Sequence, residues 1–190
     1  AAQDEQPAPA KPAAAAEVQE VVAPIREHLL KGRYAEGAEA CDELSPELQQ
    51  SSGVVLLWSQ CLEEQGDMAG AVAKITVALE KQPDSPALLG RLAELQHRQG
   101  QFADCAATLE RSLAADPDEL RSRIVQVSLR RDTGREDEAL EASRWFIGHY
   151  NRLQPESAEV LVGIARGVEL VALWNRSEEH TSELQSQFRI

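Results

Sequence analysis

KGRYAEGAEA (31–40), QGDMAGAVAK (65–74), QGQFADCAAT (99–108) and TGREDEALEA (133–142) align without a gap, and the second residue of each is glycine: Gly32, Gly66, Gly100 and Gly134 recur every 34 residues. A fixed period of that length marks a chain built from one supersecondary unit used several times. Two residues after each glycine stand Tyr34, Met68, Phe102 and Glu136, so a large apolar side chain is kept in three of the four. Five residues after it stand Gly37, Ala71, Cys105 and Ala139, all small.

Outward from the glycines, apolar residues recur at steps of three and four, which is helical spacing. Before Gly66 the stripe is Val55, Trp58 and Leu62, and after it Ala71, Ile75, Ala78 and Leu79. Around Gly100 the same parts fall to Leu89, Leu92 and Leu95, then Leu109 and Leu113. A glycine between two such helices takes the left-handed conformation that ends the first one cheaply. Pro83 and Pro117, in KQPDSP and ADPDEL, end the second helix, because proline cannot continue it, and the Asp and Ser residues nearby suit the next N-terminus. In the outer repeats Gln49 and Asn151 occupy that place, with Pro46 and Pro155 displaced nearby.

This pattern resembles the tetratricopeptide repeat family over residues 18 to about 154. The resemblance implies an all-α fold, an α-α superhelix: a right-handed solenoid of about four helix hairpins plus one extra C-terminal helix. It also implies that the small residues at 37, 71, 105 and 139 lie where helices cross closely. The repeats run at about 18–51, 52–85, 86–119 and 120–154, and 155–175 reads as the first helix of a fifth repeat or a capping helix. Each helix hides one stripe, and stacking neighbours joins the stripes into a core.

Bulk composition agrees. The 190 residues are 43% hydrophobic and only 4% aromatic, rich in Ala and Leu, which suits helices packed through small side chains. With 19 Lys+Arg against 32 Asp+Glu, the net charge of −13 repels phosphate backbones and anionic lipid, so neither nucleic acid nor a membrane surface is an expected partner. No apolar run is long enough for a spanning helix. Cys41, Cys61 and Cys105 fall inside apolar helical stretches without a C-x-x-C pair and are expected to be buried free thiols.

The two ends of the chain depart from the repeat. Residues 1–16, an Ala/Pro/Gln/acid segment with no apolar stripe, read as a disordered linker. It resembles the segment left after removal of an export signal, and equally a fragment start, so an exported or periplasmic location and a cytoplasmic one both stay open. At the other end, RSEEHTSELQS (Arg176 to Ser186) matches the translation of a common short-read sequencing adapter, and Gln187 to Ile190 continue it. Residues 176–190 are therefore set aside, together with His180 and the Asn175-Arg176-Ser177 glycosylation pattern, and the natural chain is expected to run on past Asn175. Removing two Arg and three Glu leaves the remainder strongly acidic.

Walker-type, G-x-G-x-x-G, H-E-x-x-H and G-x-S-x-G signatures are absent from 1–175, so no catalytic residue, metal site or cofactor is assigned. His28, His97 and His149 lie in different repeats, and acidic runs such as Glu136-Asp137-Glu138 suit solvated helix starts. Trp58 sits at a packing position, Trp145 at a core or rim position.

The reading is accordingly a binding module that holds another protein, not an enzyme. Alternatives are the N-terminal arm of a longer enzyme, such as a hydrolase, and a structural or self-assembling spacer. The family resemblance places partner contacts on the first helix of each repeat. Carried onto this chain it implies Val22, Arg26, Leu56, Gln60, Glu64, Glu94, His97, Arg98, Arg121, Ile124, Ser128 and Arg131, with the adjacent Arg91. Val22, Leu56 and Ile124 would form an apolar strip, and Arg121 with Arg131 a basic corner, for an extended or helical segment of a partner protein. Residues 18–150 contain no Asn, which argues against the Asn- and Lys-based clamp that some members use for chaperone C-termini. Apolar residues at Val160, Leu161, Ile164, Val168, Val171 and Leu173 predict self-association through the C-terminal helix.

Overall fold

The computed structural model describes residues 12–153 and 157–172, which form helices and turns with no strand. The helices are α1 (Pro12–Leu30), α2 (Tyr34–Asp42), α3 (Pro46–Gln49), α4 (Ser52–Glu64), α5 (Met68–Lys81), α6 (Pro86–Arg98), α7 (Phe102–Ala115), α8 (Leu120–Asp132), α9 (Glu136–Leu153) and α10 (Ala158–Ala172). The chain divides into two compact units, Ala1–Glu80 and Lys81–Ile190.

The four glycines do what their spacing predicts. Gly32, Gly66, Gly100 and Gly134 have φ of 68°, 85°, 72° and 74°, and each follows the first helix of a pair. Around every one the backbone makes the same two bonds. The glycine N–H reaches the carbonyl three residues back, and the next N–H reaches five back, as in Gly66 to Glu63 at 2.8 Å and Asp67 to Leu62 at 2.8 Å. These bonds satisfy carbonyls that the helix end would otherwise leave open.

In the first unit the core joins Val22 and Ile25 of α1, Cys41 of α2, and Val54, Trp58 and Cys61 of α4. Gly37 permits the close crossing: a Cβ there would stand 2.8 Å from Cys61 Sγ. Ser45 and Ser51 cap α3 and α4 by accepting from the Leu48 and Val54 N–H groups. The displaced Pro46 shows its effect here, since α2 stops at Asp42 and Pro46 opens the separate turn α3.

In the second unit one cluster joins Ala93, Cys105, Leu109, Val125 and Leu129, and another joins Val127, Ala139, Ala142, Phe146 and Ile164. Ser112 Oγ lies 2.7 Å from Ser122 Oγ and donates to the Pro86 carbonyl at 3.0 Å, tying α6, α7 and α8 together at one end. With no proline at 151, α9 runs through that position to Leu153, whereas α7 stops at Ala115, before Pro117. Against α8 and α9 packs α10, with Ile164 buried and Leu161 and Val162 exposed.

Helix α1 begins at Pro12, so residues 12–16 are helical and not linker; residues 1–11 lie outside the described residues, as do 173–190 with Leu173 and Trp174. The side chains of Val168 and Val171 also lie outside what is described. All three cysteines are free and buried, as expected.

Candidate functional site

Contact positions in the first unit separate by depth. Val22 is 2% exposed and belongs to the core, which removes it from the predicted strip. It packs there with Ile25 of α1, Cys41 of α2 and Val54, Trp58 and Cys61 of α4. Arg26, Gln60 and Glu64 are exposed and Leu56 is half-buried.

A concavity of about 350 Å³ also lies in this unit, and none of the predicted contacts lines it. Its walls include Gln49, Val55, Trp58, Lys74 and Val77, and Lys74 Nζ sits 3.1 Å above the Trp58 ring. The pairing of α4 with α5 that creates it joins residues sixteen apart, a distance at which neither stripe announces it.

The second unit brings most of its predicted contacts together. Glu94 of α6 accepts from Arg91 Nη1 at 2.8 Å, Arg121 Nη1 at 2.7 Å and Arg98 Nη2 at 3.3 Å. Burial would raise its carboxyl, but the Arg121 and Arg91 guanidiniums, with the Arg91 hydrogen bond, outweigh that and hold it below the usual carboxylate value. Arg91 is 2% exposed, so it supports Glu94 from beneath and cannot face a partner, a second correction to the predicted set.

At the far end of the same helices His97 Nε2 stands 3.1 Å from Asp132 Oδ2, with its ring 5.7 Å from that of Phe102. Asp132 Oδ1 also accepts from Arg131 Nε at 2.9 Å. Ser128 is half-buried, and Ile124 is partly buried against the Phe146 cluster. Arg121 and Arg131 occupy the first and last turns of α8, roughly 15 Å apart along its axis at 1.5 Å per residue. The predicted basic corner is thus two separate points, each tied on one edge to a carboxylate of α6 or α8.

Trp145 is partly buried. It stacks on His149 at 4.3 Å, meets Phe146 edge to face at 5.0 Å, and lies under Arg123 at 5.0 Å, so it serves packing. Groups of three or more His, Cys, Asp or Glu suited to hold a metal do not occur among the described residues. No helix there is long and apolar enough to cross a membrane.

Known proteins share this fold. Residues 62–124 match the family model described as tetratricopeptide repeat. Characterised proteins give no match by sequence. Solved structures that are similar include a thermophilic tetratricopeptide repeat protein of Thermus thermophilus, with a TM-score of 0.62 and 18% identity over 80% of this chain and 81% of that one. Another is the Podosopora anserina putative kinesin light chain with nearly identical repeats, at 0.58 and 16%, covering 91% and 93%. A third is a tetratricopeptide repeat protein of Parabacteroides merdae, at 0.56 and 16%, covering 90% and 66%. At these identities the likeness is one of fold.

Proposed function

Because this chain carries tetratricopeptide repeats and shares the all-α fold of such proteins, we propose that it is a protein-interaction scaffold which takes a segment of another protein on the first helices of its repeats. The observation that carries this reading is the uneven use of those helices. Their other faces are spent on the cores, while Gln60, Glu64, Arg98, Arg121 and Arg131 remain accessible at positions where repeats of this kind hold partners. Side chains held on packed helices within each unit are partly pre-organised for a partner, which lowers the entropy cost of binding. With Val22 in the core, the accessible first-helix groups are mainly polar in each unit: Gln60 and Glu64 beside half-buried Leu56 in the first, and Arg98, Arg121 and Arg131 beside partly buried Ile124 in the second.

The test is selection from a phage-displayed library of random peptides. The folded chain should enrich a family of related sequences, and the variant Leu56→Asp/Ser128→Asp, once shown helical by circular dichroism, should not. Absence of enrichment, or enrichment that the variant leaves intact, overturns the reading. We also propose that Leu161 and Val162, exposed on α10, let the chain self-associate; light scattering that stays monomeric at high concentration overturns that.

A further inference from the structure

The partner's chemistry can be narrowed by the two arginines at the ends of α8. A guanidinium has five N–H donors in a planar fork. Arg121 spends Nη1 on Glu94, and Arg131 spends Nε on Asp132, both at hydrogen-bond distance, and the side chains remain 39% and 36% exposed. Each arginine is therefore fixed by one edge and keeps further donors turned to solvent. Such anchoring matters, because a free surface arginine loses side-chain entropy on binding, whereas one already held by a carboxylate has lost much of it.

Local charge points the same way. Helix α8 carries Arg121, Arg123, Arg130 and Arg131 against Asp132 alone, in a chain whose net charge is −13. Arg123 and Arg130 are turned to other work, donating to the Pro117 and Glu138 carbonyls. Arg121 and Arg131 remain as the pair facing outward.

Resting on the scaffold reading above, we propose that the partner segment is extended and acidic, with two carboxylates about four or five residues apart, one taken by Arg121 and one by Arg131. The spacing follows from dimensions: the arginines are separated by roughly 15 Å of helix axis, and an extended chain advances about 3.3 Å per residue. Each carboxylate would meet the open edge of its guanidinium in the forked geometry that arginine favours. An amphipathic helix would need an apolar row, and this surface offers only Ile124 on α8, partly buried.

The experiment uses the full chain and a phage-displayed library of random twelve-residue peptides, selected in parallel on the unmodified protein and on Arg121→Glu/Arg131→Glu. The unmodified protein should enrich peptides with paired Asp or Glu at a separation of four or five, and the variant should lose that signature. Representative synthetic peptides should bind the single variants Arg121→Gln and Arg131→Gln roughly tenfold more weakly each, the scale of one charge-assisted contact. Affinity should also fall as salt rises. Enriched peptides that are neutral or basic, or an acidic signature that survives the double reversal, overturn the inference while leaving the scaffold reading intact. Failure to enrich anything overturns the scaffold reading itself.

Discussion

Arg121 Nη1 and Glu94 Oε2 stand 2.7 Å apart and join α8 to α6 through a carboxylate that Arg91 and Arg98 also contact. Glu94 is the shared acceptor, so its loss is felt by several side chains at once, including buried Arg91. Glu94→Gln keeps the shape and removes the charge. It should destabilise the second unit by about 2 kcal/mol, below the cost of breaking a fully buried pair because Glu94 is itself partly exposed. The sign with pH is fixed by the lowered carboxyl: its contribution is present above the unfolded value of ~4.3 and is lost as pH falls through the folded one. Urea unfolding should separate Glu94→Gln from the parent at pH 7 and bring the two together at strongly acid pH.

His149 provides a pH response at a milder range. Burial lowers its pKa, Asp118 opposes that, and Arg152 and Arg123 reinforce it. Its Nδ1 lies 3.1 Å from Arg152 Nη2, a contact that suits the neutral ring, in which Nδ1 can accept. A folded value below the unfolded one of ~6.5 means that protonation favours the unfolded chain. Stability conferred by the neutral ring is intact above that pH and declines as pH falls below it. The melting temperature should drop between pH 7 and pH 5 and drop less in His149→Gln, which stays uncharged throughout. Equal slopes for the two would refute the assignment.

Thiol chemistry tests the core. Cys41, Cys61 and Cys105 are each 0% exposed, and burial pushes their pKa values to about 12, 11 and 11. A thiol reacts as thiolate, so these should be inert to iodoacetamide at pH 8 in the folded protein and should all label in urea. Rapid labelling under native conditions would show that the helices open locally.

The repeat was legible because its glycines answer a backbone requirement that other residues meet poorly, and backbone requirements recur in step. Depth was harder to read. Counting positions along the repeat assigns Val22 and Arg91 to the contact set but carries no information on burial, and both are 2% exposed. Beside Arg91 the close approach is at Gly90, where the Glu119 and Ser122 oxygens stand 2.6 and 2.8 Å from where a Cβ would be; Val22 is enclosed by the core of α1, α2 and α4. Lone small residues inside helices carry no period, so their effect appears only once the partner helix is known. The displaced Pro46 and Pro155 mark where the outer repeats depart from the inner ones, but neither announces the extra turn α3 or how far α9 runs.

Glycine substitutions separate the two roles quantitatively. At Gly66 and Gly100 no atom lies within 4 Å of a new Cβ, so Ala there suffers only the left-handed backbone, a cost of about 1 kcal/mol. Asn, which tolerates that conformation better, should cost less than Ala at the same sites. Gly37 has an ordinary helical backbone, yet Ala there would push against Cys61 Sγ at 2.8 Å and the His28 Cβ at 3.3 Å. Its cost is steric, on the order of 1–3 kcal/mol, and Asn should be worse than Ala because it is larger. Denaturant midpoints should therefore rank Asn above Ala at Gly66 and Gly100 and below it at Gly37. The same order at all three positions would mean that the turn and the crossing are not distinguished in the way the geometry requires.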